Sequence, residues 1–234
     1  MKTSDMSAAE NIQAKLRMAA RALGNAGLAH AYGHCSVRLD DARFLVCAPE
    51  PMKTILPGEA GSVVPVEGDL PQGVLGEVRI HQHIYALRPD IGAICRIMPP
   101  AIMALSTQGI SPASRHGLSA YFANDIPLWD DPALLRNHVA ARKLAEALGN
   151  RLAIIMRGNG AVVVGEDLEQ AVTYSWFLED TARVEMEIRR ARFDPECGRL
   201  SNDDIAARMV TTGRVFERMW RYLTFSDPES DCAE

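Results

Sequence analysis

Glu77, His81, Arg96 and Met98 fall within one short stretch, residues 76–100, and are the side chains best spaced to share a chemistry. Val78, Ile80, Ile84 and Leu87 keep a rough helical spacing. Arg88-Pro89-Asp90 ends that helix, because the residue before a proline is pushed out of the α region. Ile91-Gly92-Ala93-Ile94-Cys95 follows as a short buried strand, and Pro99-Pro100 stops it. Glu77 therefore stands near a helix start, with His81 one turn later on the same face. Arg96 and Met98 stand near the end of the strand, and positions two apart on a strand point the same way. Arg96 brings a fixed positive charge and a planar fork suited to a carboxylate or an enolate. The plainer alternatives are a Glu77 that meets the positive end of its helix dipole and a His81 that packs its helix.

The elements that must position these residues can be traced along the chain. Residues 6–26 make a helix with an apolar stripe of Ile12, Leu16, Met18, Ala19 and Leu23, closed by Gly24-Asn25-Ala26-Gly27. His34 sits in a tight glycine turn that enters a strand running to Leu39; Asp40-Asp41-Ala42-Arg43 is hairpin chemistry before the strand at residues 44–48. Arg38 has Asp40 or Asp41 as ready partners. A strand is expected at residues 62–66, a helix at 101–107, a polar segment carrying Arg115-His116 at 111–122, and a strand at 126–129. Asp130-Asp131-Pro132 caps a helix running to Leu148. Two buried strands, 152–156 and 161–165, flank the turn Arg157-Gly158-Asn159-Gly160, and a long helix covers 167–191. A further amphipathic helix is expected over 202–225.

Composition narrows the class. At 234 residues and 47% hydrophobic, the chain can bury one sizeable core, and a single domain, 1–234, is expected. The net charge of -5, with no basic stripe, argues against nucleic acid as a partner. No apolar run reaches membrane-spanning length, and residues 1–15 lack the apolar centre of a signal peptide. The five cysteines have no C-x-x-C spacing and are expected as reduced thiols in a cytoplasmic protein.

Glu77, His81, Tyr85 and Arg88-Pro89-Asp90 together resemble the class II aldolase/adducin family. Gly33-His34-Cys35-Ser36-Val37-Arg38 is similar to the family's Gly-His form of the first strand. Arg157-Gly158-Asn159-Gly160, an apolar strand and Gly165-x-x-Leu168-Glu169-x-Ala171 are similar to its last block. The resemblance covers residues 12–192, leaving 202–225 as a helical tail. It implies an α/β fold, a central mainly antiparallel sheet flanked by helices, and a cyclic homotetramer with sites between subunits. It implies Glu77 as the acid/base carboxylate, and a neighbouring arginine would favour its ionised form and so a base.

Where the family holds a divalent ion on three histidines, this chain has Arg96, Met98 and Asn159. Guanidinium, thioether and amide are poor ligands for zinc or manganese, so no metal and no other cofactor is expected. Two consequences are open: a non-catalytic homologue that binds a ligand or partner, or an enzyme in which Arg96, with Asn159 as a second donor, replaces the ion. His34 would bind a carboxylate or shuttle a proton, Arg38, His81 and Met98 would line the site, and His116, or failing it Tyr121, would supply an acid to a neighbouring subunit. Residues that hold a substrate phosphate in sugar-phosphate aldolases are replaced by Glu50 and Leu75, so an unphosphorylated substrate is expected. The Gly-His form resembles decarboxylases of hydroxylated aromatic or pyridine carboxylates. A carbon–carbon lyase, decarboxylase or retro-aldolase, acting on a small conjugated carboxylate is therefore the expected activity, with an epimerase, dehydratase or cofactor-free oxygenase as a third option.

Overall fold

The computed structural model describes residues 3–123 and 125–230, with side chains from residue 9 onward; Cys232 lies outside the described residues. Helix α1 (Thr3–Asn25) leads into the hairpin β1 (His34–Arg38) and β2 (Arg43–Val46), then β3 (Ser62–Pro65). A 3₁₀ turn at Gly76–Val78 runs directly into α2 (Arg79–Leu87), followed by β4 (Ala93–Ile97) and α3 (Pro100–Thr107). The two-residue β5 (Leu128–Trp129), α4 (His138–Leu148), β6 (Ala153–Met156), β7 (Ala161–Gly165) and α5 (Leu168–Arg190) complete the core; α6 (Asn202–Arg208) and α7 (Val215–Thr224) follow it.

The strands form one seven-stranded sheet in the order β3-β2-β1-β4-β7-β6-β5. Its pairings are antiparallel except that of β5 with β6. Side chains alternate between two faces along every strand, and each face has its own core. Cys35, Cys95, Ile97 and Val163 pack against α1, α3 and α5. Phe44, Ile94, Val162 and Val164 pack against α2 and α4 through Ile80, Ile84, Leu144 and Leu148. His34, Ser36 and Arg38 of β1 belong to the second face, as do Ile94 and Arg96 of β4.

Helix α3 starts at a proline pair and has no cap from its own N-terminal residue. Glu179 of α5, buried, caps it across the interface: its carboxylate accepts from the amides of Ala101 and Ile102 at 3.1 Å each, meeting two of the donors a helix leaves open at its first turn.

Three expected elements are corrected. The helix of residues 130–148 begins only at His138. Asp131 holds a single local turn, accepting from the Ala133 amide, Leu135 is buried against the second core, and the Asn137 side chain is the cap. The tail is two helices rather than one over 202–225, because Gly213 and Arg214 take left-handed backbone angles (φ 81° and 58°) between them. The strand expected at 126–129 pairs only at Leu128 and Trp129. Arg38 also finds different partners from those expected. It donates to the carbonyls of Ile91, Tyr85 and Arg88, while Asp40 pairs with Arg43.

The segment after α7 is tied back to α1. Glu229 accepts from Arg17 and Arg21 of α1 (2.6 and 2.7 Å), and Asp227 takes the rest of the Arg21 fork. Both arginines are almost wholly buried. Burial alone would raise the Glu229 carboxyl, but hydrogen bonds from the two guanidiniums outweigh it and hold it below its ordinary value. Its contribution is therefore present above the ordinary carboxylate range and lost as pH falls through its lowered folded value. Removing one partner of a buried ion pair costs about 3–5 kcal/mol, so Glu229→Ala should lower the unfolding free energy by roughly that at neutral pH. Urea melts of both proteins at pH 7 and pH 3 check this: the gap should narrow in acid, and equal midpoints at pH 7 would refute it.

Candidate active site

The turn between β6 and β7 sets the geometry. Gly160 has φ +75°, and a Cβ there would sit 1.9 Å from the carbonyl oxygen of Ile97. Only glycine lets the turn close on the end of β4, and this approach lays Asn159 over Arg96. Nη2 of Arg96 donates to Oδ1 of Asn159 at 2.6 Å and lies 3.5 Å from Oε2 of Glu77. Nδ2 of Asn159 reaches Oε1 of Glu77, also at 3.5 Å. Glu77 arrives from the 3₁₀ turn that precedes α2.

Arg96 is only 2% exposed, yet its Nε and Nη1 have no hydrogen-bond partner among the described residues. Directly opposite Arg96 in the antiparallel register is His34, so the two side chains leave the same sheet face. His34 is the first residue of β1 rather than a turn residue. Its Nδ1 meets Nε2 of His81 at 3.0 Å, and its own Nε2 is buried without a partner among the described residues. Nδ1 of His81 meets the Ser36 hydroxyl at 2.7 Å, and Ser36 meets the Tyr85 hydroxyl at 2.9 Å. The ring of Tyr85 lies under the Arg38 guanidinium, 4.6 Å away.

Electrostatics follow from this burial. Burial, then the neighbouring His81 and the Arg96 charge, hold the His34 imidazole well below its ordinary value. Burial and then Arg96 lower His81 to about 3. Burial also lowers the Arg96 guanidinium, against the pull of Glu77. The site is thus one buried cation, one partly exposed carboxylate, one amide bridging them, and two neutral imidazoles.

Of the residues expected to act, Glu77, Arg96, Asn159, His34 and His81 come together. Met98 follows β4 and is half-buried, its amide donating to the Leu28 carbonyl. Arg38 stands at the far end of β1, beside a cleft of about 610 Å³ that Asp41, Arg43 and Glu67 also line. His116 and Tyr121 are not brought to this cluster within the chain. His116 faces Asp180 of α5 at 3.7 Å, and the Tyr121 hydroxyl donates to the Val210 carbonyl. Ser36 and Tyr85 are the members that motif matching leaves without a role. The signal for them is the strand alternation His34-x-Ser36 and the one-turn spacing of His81 and Tyr85 on α2.

The donors at this point do not suit a divalent cation. The Asn159 amide already accepts from the Arg96 guanidinium, and that buried charge would repel a second cation. Among the described residues no group of three or more His, Cys, Asp or Glu side chains converges. The space beside His34, bounded by Cys47, Pro49, Ser62, Leu75 and Val78, is about 10 Å³, room for about one water. Leu75 and Val74, which form its outer wall, lie on the irregular segment before the 3₁₀ turn, and Leu75 is 42% exposed.

Sheet order and covering helices define an α/β domain of the class II aldolase fold. An L-fuculose 1-phosphate aldolase from Glaciozyma antarctica superposes with a TM-score of 0.76, at 22% identity over 92% of this chain and 88% of that one. The L-fuculose-1-phosphate aldolase of Thermus thermophilus does so with a TM-score of 0.69, at 28% identity over 78% and 96%. In sequence, a 3,4-dihydroxyphthalate decarboxylase from Arthrobacter keyseri is 25% identical over 193 residues, 75% of this chain and 78% of that protein. The chain belongs to the class II aldolase and adducin N-terminal domain family, whose family model matches residues 14–186.

The two buried neutral imidazoles carry a pH signature. Unfolded histidines take up a proton near 6.5, whereas His81 in the fold does so only at about 3. The unfolded chain therefore binds more protons below pH 6.5, and stability falls with acidification, by roughly 1.4 kcal/mol per pH unit for each such histidine. Unfolding free energies measured from pH 7.5 to 5 should show this loss, and His81→Asn should reduce the slope. A flat wild-type profile would contradict the neutral pair.

Proposed function

We propose that the chain is a decarboxylase of hydroxylated aromatic carboxylates that works without a divalent metal. The observation that carries this reading is Arg96, a buried cation with two nitrogens unspent, set beside Glu77. A buried charge is costly unless paired, and an anionic oxygen is the partner that completes it. The relatives that support the reaction are decarboxylases of 3,4-dihydroxyphthalate.

Decarboxylation breaks the bond between ring carbon and carboxylate, releases CO₂ and puts a proton in its place. An ortho or para ring hydroxyl lowers what the protein must supply: its lone pair feeds into the ring as that carbon takes the proton, and the bonding pair freed with CO₂ then returns to the ring and restores the aromatic hydroxyl. Arg96 binds an anionic oxygen of the substrate, Asn159 holds Arg96 and Glu77 in register, and Glu77 moves the proton. A retro-aldol cleavage of an unphosphorylated acid would use the same groups and is told apart by its aldehyde product. A homotetramer is the assembly that goes with this reading, and it is the arrangement in which His116 would serve a neighbour's site. Light scattering at micromolar concentration should give four copies; a monomer would remove His116 from the mechanism.

The space of about 10 Å³ beside His34 favours a second reading, a non-catalytic carboxylate-binding homologue. In the first reading the segment carrying Leu75 moves aside for substrate; in the second it does not.

CO₂ release from 3,4-dihydroxyphthalate and related hydroxylated aromatic acids tests the proposal. One oxyanion donor is worth roughly 3–4 kcal/mol, so Arg96→Met should cut turnover on the order of a hundredfold or more with the fold intact. Glu77→Gln should remove proton transfer, at least about a hundredfold. Activity should survive EDTA, and elemental analysis after dialysis should find no stoichiometric zinc, manganese or iron. Binding without turnover of any such acid would select the second reading, and a retained equivalent of metal would end the metal-free mechanism.

A further inference from the structure

The hydrogen-bond chain behind His34 has a direction, and that direction decides what His34 offers to a ligand. Its members, in order, are the Tyr85 hydroxyl, the Ser36 hydroxyl, both nitrogens of His81, and Nδ1 of His34. Each neutral imidazole carries one ring proton, so the two imidazoles can be ordered in either of two directions. In one, Tyr85 donates to Ser36, Ser36 donates to Nδ1 of His81, and Nε2–H of His81 donates to Nδ1 of His34; His34 then carries its proton on Nε2. In the other, Nδ1–H of His34 donates to His81, Nδ1–H of His81 donates to Ser36, and His34 Nε2 is a bare lone pair.

Two observations separate them. Tyr85 is 2% exposed, and Ser36 is the hydroxyl's one partner among the described residues. Reversing the imidazoles makes Ser36 accept from His81, and then either the Ser36 or the Tyr85 hydrogen is buried with no acceptor among the described residues, a penalty that biases the equilibrium roughly tenfold or more. The Arg38 guanidinium, 4.6 Å over the Tyr85 ring, withdraws negative potential from the phenol and makes it the better donor. Arg38 itself is held there by three backbone carbonyls. No Arg96 nitrogen is within hydrogen-bond range of His34 to reward the reversed form with a donor.

We propose that Ser36 is the positioning residue that locks His34 as its Nε2–H tautomer, with the Tyr85 hydroxyl donating to Ser36 from behind, so that His34 and Arg96 form a paired, neutral-plus-cationic donor site for one anionic group. The pair stands in register on adjacent strands, and its outward nitrogens are buried and unspent. His34 then serves as a donor to the substrate's oxygen and not as a base. The identity of the bound anion rests on the proposed function above; the tautomer does not. The sequence His34-x-Ser36-x-Arg38 is thus one device, three alternate residues of one strand face, completed by His81 and Tyr85 of α2.

Histidine-¹⁵N-labelled protein, with rings assigned by single histidine substitutions, shows the tautomer directly through its ring nitrogen shifts at neutral pH. His34 and His81 should both carry their protons on Nε2, with Nδ1 bare. Tyr85→Phe should keep this pattern, since Ser36 still donates; Ser36→Thr should keep it too. Ser36→Ala should allow the second tautomer to appear at both rings. Adding 3,4-dihydroxybenzoate as an anionic probe should shift the His34 Nε2–H proton, while Arg96→Met should abolish that shift. A wild-type His34 protonated on Nδ1 overturns the proposal, whether or not any variant folds. A wild-type Nε2–H that persists unchanged in Ser36→Ala removes Ser36 from the role. The expected tautomer in a protein that turns over no aromatic acid would leave the lock standing and defeat only the decarboxylase reading.

Discussion

One buried positive charge governs this end of the molecule. Arg96 has almost no contact with solvent and a single strong partner, the Asn159 amide, with Glu77 a step further away. A guanidinium cannot shed its proton to escape burial, as a lysine can, so its surroundings must adapt to it. They do so in a graded way. The carboxylate is kept within reach, the two imidazoles beside it are kept neutral, and two of its nitrogens are left to be met by whatever binds. A site built like this favours an anion over a cation before any detail of shape is considered.

The scaffold holds that charge in place through backbone contacts. The β6–β7 turn presses on the end of β4 so closely that no side chain fits at Gly160. Beyond Arg96, the chain leaves β4 through two prolines into α3, whose open amides are met by Glu179 of α5. Below it, β1 is pinned to β4 residue by residue from His34 to Val37. Arg96 therefore sits at the meeting of three rigid pieces, and its position owes little to its own side-chain bonds.

Most of the fold follows from patterns visible along the chain. The two apolar strands around Arg157-Gly158-Asn159-Gly160, the helix beginning at Asp167 and the 76–100 unit are strongly periodic and sharply punctuated, and they stand where periodicity places them. The misplaced boundaries fall where local signals compete. Asp130-Asp131-Pro132 is good capping chemistry, but the segment with its buried Leu135 stays irregular and Asn137 caps instead. The 202–225 stripe is amphipathic throughout, and only Gly213 hints at the break. At the site, the meeting of Glu77, Arg96 and Asn159 is legible because each stands in a motif. The place of Ser36 and Tyr85 behind His81 is not, because it depends on which side chains burial brings together in three dimensions. The partners of Arg38 escape for the same reason: two aspartates lie next to it in sequence, yet three carbonyls lie next to it in space.

The clasp between Glu229 and α1 bears on how the chain is made. Helix α1 leaves the ribosome long before Asp227 and Glu229, the residues that neutralise its Arg17 and Arg21. Until that later turn emerges, docking α1 on the sheet would bury Arg21 without a counter-charge and leave Arg17 only the exposed Glu10 of its own helix, a step costly enough to keep the helix loose. Co-translational assembly should therefore proceed by pairing the strands first and seating α1 late, with the turn at Asp227 and Glu229 acting as the latch that commits the domain.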